Sequence, residues 1–410
     1  MPTRCAPTPL SSQTDPTGGR EGVGSVDMLR ISGCAIGFRV LSAIVGFVAT
    51  LAFPLDRPQQ TTMFGSPSPF WDQFTRYDAG WYYQIARYGY WFVPGGPSAG
   101  IDKPGKIAYF PVYPLLMRYA GRLFGRTAAD VYLGGIVVSW MAFAAALVLL
   151  CSLARLDLPR EGARRAALLT AIFPFSFFFG LVYTESLFLL LTVVAFYAFR
   201  TRRWMLGGVA GGLATATRAN GLLMLPALAW LAWKNAGDSR RDRLFAAVGL
   251  ALVPGGIMAY SAYVYHLSGR PFEWAGSISR WGYHPGGAPW MAPAQLVRQL
   301  VTHPYRYLTT DPMALYDTLY GVTGILFVLA IPFVWRRFGA GYGLFMLMNL
   351  WLPLSSGVFE GVGRYCSVLF PCCIWLASIR SHAVSTALVV VFALFYTLGL
   401  ALFTTIHPLF

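Results

Sequence analysis

The run Phe70-Trp-Asp-Gln-Phe-Thr-Arg-Tyr-Asp-Ala-Gly-Trp-Tyr-Tyr-Gln-Ile-Ala-Arg-Tyr-Gly-Tyr90 lies just beyond the first long apolar segment of the chain. A carboxylate beside a bilayer is costly unless it has a partner or a chemical task. Asp78 sits inside this run, flanked by Tyr77, Trp81, Tyr82 and Tyr83. An acid placed behind a span and within an aromatic cluster points to a membrane protein that carries out chemistry at one face of the lipid.

Composition agrees. The chain has 410 residues, 56% hydrophobic and 12% charged, against about 25% charged in a typical soluble domain. Apolar blocks recur along almost the whole length, which fits one polytopic domain better than two or three soluble ones. The net charge is +15, but Lys and Arg fall in short runs between apolar blocks and form no stripe on a soluble fold. Nucleic acid is therefore set aside as a partner. Cys5, Cys34, Cys151, Cys366, Cys372 and Cys373 contain no Cys-x-x-Cys pair and have no His at zinc-ligand spacing; they read as small apolar side chains. Residues 1–27, rich in Pro, Thr, Ser and Gly, read as a disordered tail, with Met28 an alternative start and 28–410 a single transmembrane domain.

The apolar blocks suggest about eleven spans: 29–53, 131–154, 165–182, 185–200, 204–217, 220–234, 244–267, 316–335, 341–356, 364–380 and 383–404. Phe173-Pro174 and Leu225-Pro226 mark kinks, and Gly207, Gly208, Gly211 and Gly212 mark close helix contact. With the N-terminus in the cytoplasm, the inner loops hold fourteen cations: Arg155, Arg160, Arg164, Arg165, Arg200, Arg202, Arg203, Lys234, Arg240, Arg241, Arg243, Arg336, Arg337 and Arg380. The short outer loops then hold only Arg218 and Arg364, a bias that supports this orientation. Residues 107–124 read as an interfacial amphipathic helix and not a span, because Arg118, Arg122 and Arg126 recur at one helical face. Segments 54–130 and 268–315, rich in Trp, Tyr, Pro and Gly, become two large outer loops carrying interfacial helices. The expected fold class is an all-α polytopic membrane protein.

In this arrangement Asp78, Glu185, Arg218, Asn220 and Arg364 share the outer face although they come from distant parts of the chain. Each has a structural alternative. Asp78 would cap the helix starting at Ala79. Asp72 would pair with Arg76 at i, i+4, leaving Asp78 the unpaired carboxylate. Glu185 would start a helix or pair with Arg218, the arginines would snorkel to headgroups, and Asn220-Gly221 would form a plain turn. His266, His284 and His303 fall on the outer side and receive no role. Span interiors are nearly free of ionisable residues, Arg39 being the clearest exception. A proton- or ion-coupled transporter would place such residues near the midplane.

These residues carry a resemblance. Arg76-Tyr-Asp-Ala-Gly-Trp-Tyr-Tyr-Gln-Ile-Ala-Arg-Tyr-Gly-Tyr90 resembles the Trp-Asp-Ala/Ser…Ile-Ala…Gly-Tyr signature of GPI mannosyltransferase 2 (PIG-V type) proteins. Tyr109-Phe-Pro-Val-Tyr-Pro-Leu-Leu116, Tyr183-Thr-Glu-Ser-Leu-Phe188, Thr217-Arg-Ala-Asn-Gly221 and Arg364-Tyr365 with Phe370-Pro371 are similar, in the same order, to that family's later motifs. Tyr77 departs from the pattern, standing where Trp is common.

The resemblance implies a GT-C glycosyltransferase using a polyprenyl-phosphate sugar, usually dolichyl-phosphate mannose. A glycan or glycolipid would be the acceptor. The high Ala, Gly and Arg content suits a bacterial member in the cytoplasmic membrane, with its site on the outer face; a eukaryotic member would face the lumen of the endoplasmic reticulum. In the implied reaction Asp78 takes the proton of the attacking hydroxyl and the anomeric carbon inverts. Arg218 or Arg364 holds the leaving phosphate. Glu185 and Asn220 orient an arginine or bind sugar, and Trp81, Tyr82 and Tyr83 stack on sugar or anchor the interface. No Asp-x-Asp cluster is present, so no cofactor is expected; Asp72 with Asp78 is the pair left to hold a divalent cation weakly. A second subunit, which eukaryotic relatives can need, has no signal in the sequence. The rival readings are a transporter or lipid flippase, a non-catalytic scaffold, and a GT-C transferase with another sugar or a protein acceptor.

Overall fold

A computed structural model of the chain describes residues 24–58, 61–91, 99–100, 103–104, 106–279, 287–359 and 361–409. Five helices are long and apolar enough to cross a membrane: Ser25–Ala52, Ala128–Ala154, Arg240–Ser268, Ala314–Phe338 and His382–Thr404. The chain is therefore a helical, multi-pass integral membrane protein. Among the described residues, β structure is confined to Ala99–Gly100 paired antiparallel with Lys103–Pro104.

The other six expected spans fall on shorter helices: Arg160–Ala171, Glu185–Arg200, Trp204–Thr215, Leu225–Asn235, Ala340–Leu354 and Phe370–Ala377. The longest has 16 residues, fewer than the ~20 a span requires. Three of these expectations break at proline, which cannot continue a helix ladder. The 165–182 block stops at Ala171 and resumes as a 3₁₀ turn, Ser176–Gly180, after Pro174. The 220–234 block divides into a 3₁₀ turn, Ala219–Met224, and a helix entered through Pro226. The 364–380 block divides into Val362–Ser367 and a helix entered through Pro371.

The first expected loop carries the helices Pro69–Asp72, Ala79–Tyr88 and Val112–Gly121, and the second carries Glu273–Ser279, Met291–Thr302 and Pro304–Thr310. Val112–Gly121 has 10 residues and is too short to span. It ends before Arg122, so Arg118, Arg122 and Arg126 do not form the expected single helical face. Thr127 and Asp130 form a capping box that starts Ala128–Ala154. The helix Ser25–Ala52 begins within the expected tail; the remainder of that tail, residues 1–23 with Cys5, lies outside the described residues.

The bundle has two chemically different ends. At one end the buried Asp27 accepts from Arg160 and Arg164, both at 2.5 Å, and Arg200 forks onto Asp157 at 2.8 and 2.9 Å while reaching Tyr342. Trp204 and Asp242 join there at 2.6 Å, and Arg165 donates to the Ile379 carbonyl. The runs holding the fourteen cations lie at this end. At the other end the first loop meets the end of the last helix, where Asp56 N–H donates to the Thr405 carbonyl at 2.9 Å.

Between the ends lies an unwound stretch, 172–184, whose backbone groups need partners from neighbouring helices. Arg39, buried near the middle of Ser25–Ala52, donates to the Ser176 carbonyl at 3.1 Å and the Ala171 carbonyl at 3.3 Å. Its guanidinium lies 4.3 Å from the ring centre of Phe143 and 4.6 Å from that of Phe38. Trp140 Nε1 donates to the Gly180 carbonyl and Ser186 Oγ to the Phe179 carbonyl. The stretch delivers Tyr183, Thr184 and Glu185 to the far end of the bundle.

Candidate active site

The chain reaches Asp78 through the 3₁₀ turn Gln73–Thr75 and then Tyr77, which has a left-handed backbone with φ 51°. Asp78 occupies the N-cap position of Ala79–Tyr88, but with φ −60° and ψ −22° and no side-chain cap hydrogen bond. The carboxylate turns elsewhere. Its Oδ2 accepts from Arg364 Nη1 at 2.7 Å and its Oδ1 from the Tyr109 hydroxyl at 3.0 Å. The expectation of an unpaired Asp78 is thus corrected. Asp72 does not leave it free: it is fully buried, and its oxygens accept from Met63 N–H at 2.9 Å and Ser68 N–H at 2.7 Å. Asp72 fastens the loop, which removes it as a second acid and as half of a weak cation site. Arg76 is buried, with Nε and Nη1 unpartnered among the described residues.

Glu185, the first residue of Glu185–Arg200, sits between two arginines. Its Oε1 accepts from Arg364 Nε at 2.8 Å and from Arg218 Nη1 at 2.5 Å. Arg218 Nη1 also reaches Thr184 Oγ1 at 3.4 Å. The result is a continuous chain, Asp78–Arg364–Glu185–Arg218, of two acids and two bases. Side-chain exposure rises from 0% at Glu185 through 12–13% at the arginines to 24% at Asp78, so Asp78 is the member open to a reactant. Snorkelling of the arginines is excluded by this burial. Aromatic faces hold them: Arg364 lies 4.8 Å from the Tyr183 ring centre and 5.1 Å from Phe178, and Arg218 lies 5.2 Å from Tyr365.

The neighbouring aromatics are committed to packing. Tyr82 is buried against Tyr109, Tyr113 and Tyr183, so it presents no face to a sugar, contrary to expectation. Trp81 stacks on Tyr109 with ring centres 6.0 Å apart and an interplanar angle of 16°, so one of its faces is covered. Tyr83 stacks on Tyr132 at 4.7 Å. Burial, followed by the Asp78 carboxylate, pushes the Tyr109 phenol well above its ordinary pKa, so it stays protonated and donates to Asp78.

Asn220 is also taken. Its Nδ2 donates to Asn349 Oδ1 at 3.0 Å, and Asn349 Nδ2 donates to the Phe345 carbonyl at 3.1 Å. Asn220 therefore ties the turn after Arg218 to Ala340–Leu354, the orienting alternative of the two expected for it. Gly221 has a packing reason of its own: a Cβ there would lie 2.8 Å from the Ala214 backbone. Sequence reasoning missed Asn349; its signal was a lone amide in the apolar block 341–356. It also missed Tyr109 and Tyr183 as donors, although both lie inside the motifs. His284 lies outside the described residues, and His266 and His303 are exposed and away from the ion-pair chain.

An almost wholly apolar groove of about 300 Å³ opens between Ala314–Phe338 and Ala340–Leu354, lined by Trp290, Pro293, Leu329, Leu350, Trp351 and Leu354. It lies beside the same helix that carries Asn349.

Residues 102–258 match the family model described as dolichyl-phosphate-mannose-protein mannosyltransferase. That span contains Tyr109, Glu185 and Arg218, with Asp78 and Arg364 on either side. No curated protein matches the sequence. Among solved structures, the chain is similar to ArnT from Cupriavidus metallidurans bound to undecaprenyl phosphate, with 13% identity, TM-score 0.48, and coverage of 92% of this chain and 77% of that one. It is also similar to the apo oligosaccharyltransferase of Archaeoglobus fulgidus, with 13% identity and TM-score 0.47 over 92% of this chain. The chain spans 56% of the length of that archaeal protein.

Proposed function

We propose that this protein is a GT-C glycosyltransferase that moves a mannosyl residue from a polyprenyl-phosphate mannose to a lipid-linked or glycan acceptor at the non-cytoplasmic face. The observation that carries the reading is the ion-pair chain: a partly open carboxylate, Asp78, in direct contact with a guanidinium that is itself coupled to a second one through Glu185. This pairs a proton acceptor with groups suited to a phosphate leaving group. The match of 102–258 to a mannosyltransferase family model and the motif order support the sugar.

In the reaction the acceptor oxygen attacks the anomeric carbon, and the bond from that carbon to the phosphate oxygen breaks with both electrons leaving on the polyprenyl phosphate. The hydroxyl proton passes to Asp78, and the carbon inverts. Arg364 Nη1, now on Asp78 Oδ2, is the group the incoming phosphate competes for; as it turns to the phosphate, Oδ2 becomes free to accept the proton. Glu185 keeps both guanidinium groups in place, and Tyr109 holds Oδ1 so that the other oxygen faces the acceptor. The apolar groove beside Leu350 and Trp351 suits the polyprenyl chain.

The test is incubation of purified protein with polyprenyl-phosphate mannose and, separately, the glucose, galactose and arabinose donors, with the product read by mass spectrometry. Mannosyl transfer that falls at least ~10²-fold in Asp78→Asn, with folding and insertion intact, is expected. Full activity in Asp78→Asn would remove it as the base. Lipid scrambling by the folded protein without transfer from any donor would favour the flippase reading.

A further inference from the structure

We propose that Tyr77 is a positioning residue for this site: its hydroxyl hooks the turn bearing Asp78 onto residues 405–409, and the hook sets the direction of the carboxylate. The proposal rests on Asp78 being the base. Three non-glycine residues among those described have left-handed backbone: Tyr77 at φ 51°, Arg202 at φ 60° and Ile406 at φ 64°. Such conformations are rare for bulky or β-branched residues and persist only where the surroundings impose them. The first and third come together through the Tyr77 hydroxyl, which donates at 2.5 Å to the carbonyl of His407, the residue next to Ile406, across 330 residues of sequence.

Both sides of that bond are held. On the Asp78 side, the Tyr183 hydroxyl donates to the Arg76 carbonyl at 3.1 Å and accepts from Asp78 N–H at 3.3 Å, bracketing Tyr77. On the other side, His407 N–H donates to the Leu402 carbonyl at 2.9 Å, and Thr405 Oγ1 lies 2.9 Å from His407 Nδ1. Ile406 and Leu409 are buried. The Tyr77 ring lies 5.4 Å from Phe403, which also meets Phe178 and Tyr183, the two rings beneath Arg364. One aromatic support therefore carries both partners of the Asp78–Arg364 pair. A tryptophan at position 77 would lack the hydroxyl, so this chain's departure from the motif supplies the hook.

The experiment compares Tyr77→Phe, Thr405→Val and the double variant of the full chain. Each single change loosens the same hook while keeping side-chain volume. Each should lower kcat about tenfold, the loss of roughly one hydrogen bond's worth of alignment, with donor KM within about twofold. The double variant should be no worse than either single one. Hydrogen exchange of residues 76–80 should quicken in both single variants. Wild-type kcat with unchanged exchange in Tyr77→Phe, or losses that multiply in the double variant, would overturn the hook. If the wild type transfers no sugar, the functional reading fails, and exchange at 76–80 alone decides this proposal.

Discussion

Glu185 is the residue on which the site balances. Both guanidinium groups lean on its Oε1, and it has no exposed surface. Replacing it with Gln keeps the shape and removes the charge, leaving two buried cations short of a partner; breaking buried pairs costs about 3–5 kcal/mol. Glu185→Gln should therefore lower the thermal midpoint in detergent markedly, whereas Asp78→Asn, at the open end, should not. Equal midpoints for the two would show that Glu185 is not the keystone. Arg364→Ala should raise the donor KM more than the acceptor KM, and equal changes would assign Arg364 a purely structural role. Asp78, Glu185, Arg218 and Arg364 were legible as candidates because, of the many charges at span ends, few fall on the expected outer side, and these converge there from distant parts of the chain. Their connectivity was not, because nothing in the order of residues gives the distance between positions 78 and 364. For Tyr82 and Asn220 the alternatives stayed open for a related reason: polarity and aromatic character do not reveal which way a side chain points, and the structure packs both away from the surface.

At the scale of elements, hydropathy located the apolar blocks but not their continuity. Pro174 and Pro226 were legible as kinks and turned out to be breaks, and Pro371, not read as a kink, is a third, because a proline removes a ladder bond that lipid cannot replace. The glycines at 207–212 were read correctly as a contact surface. A Cβ on Gly208 would lie 2.3 Å from the Gly249 carbonyl oxygen, and one on Gly256 would lie on top of the Gly212 carbonyl. Gly208→Ala should force Trp204–Thr215 and Arg240–Ser268 apart and destabilise by about 1–3 kcal/mol. Gly37→Ala, where nothing lies within 4 Å of the added carbon, should be neutral or stabilising by up to ~1 kcal/mol. Similar thermal midpoints for the two variants would count against close packing at Gly208.

At the scale of the molecule, the cation bias anticipated two unlike ends, and the contacts bear out that division: the Asp27–Arg160–Arg164 cluster lies at one and the Asp78–Arg364 pair at the other. A cysteine replacing the exposed Phe64 and one replacing the exposed Arg203, each in a background without the native cysteines, should react with a membrane-impermeant thiol reagent from opposite sides. Labelling from the same side would overturn the two-ended arrangement. The number of crossings was less legible than the polarity, because loops advertise themselves by charge while half-length helices do not.

Arg39 has a consequence for how such a protein is made. The first helix leaves the ribosome carrying an arginine near its centre, worth about 2.5–3.5 kcal/mol against insertion, while the Ala171 and Ser176 carbonyls that receive it are synthesised more than 130 residues later. Until then the first helix carries a guanidinium without the carbonyls that satisfy it in the finished fold, and the arrival of the broken helix is what completes its membrane-buried surface.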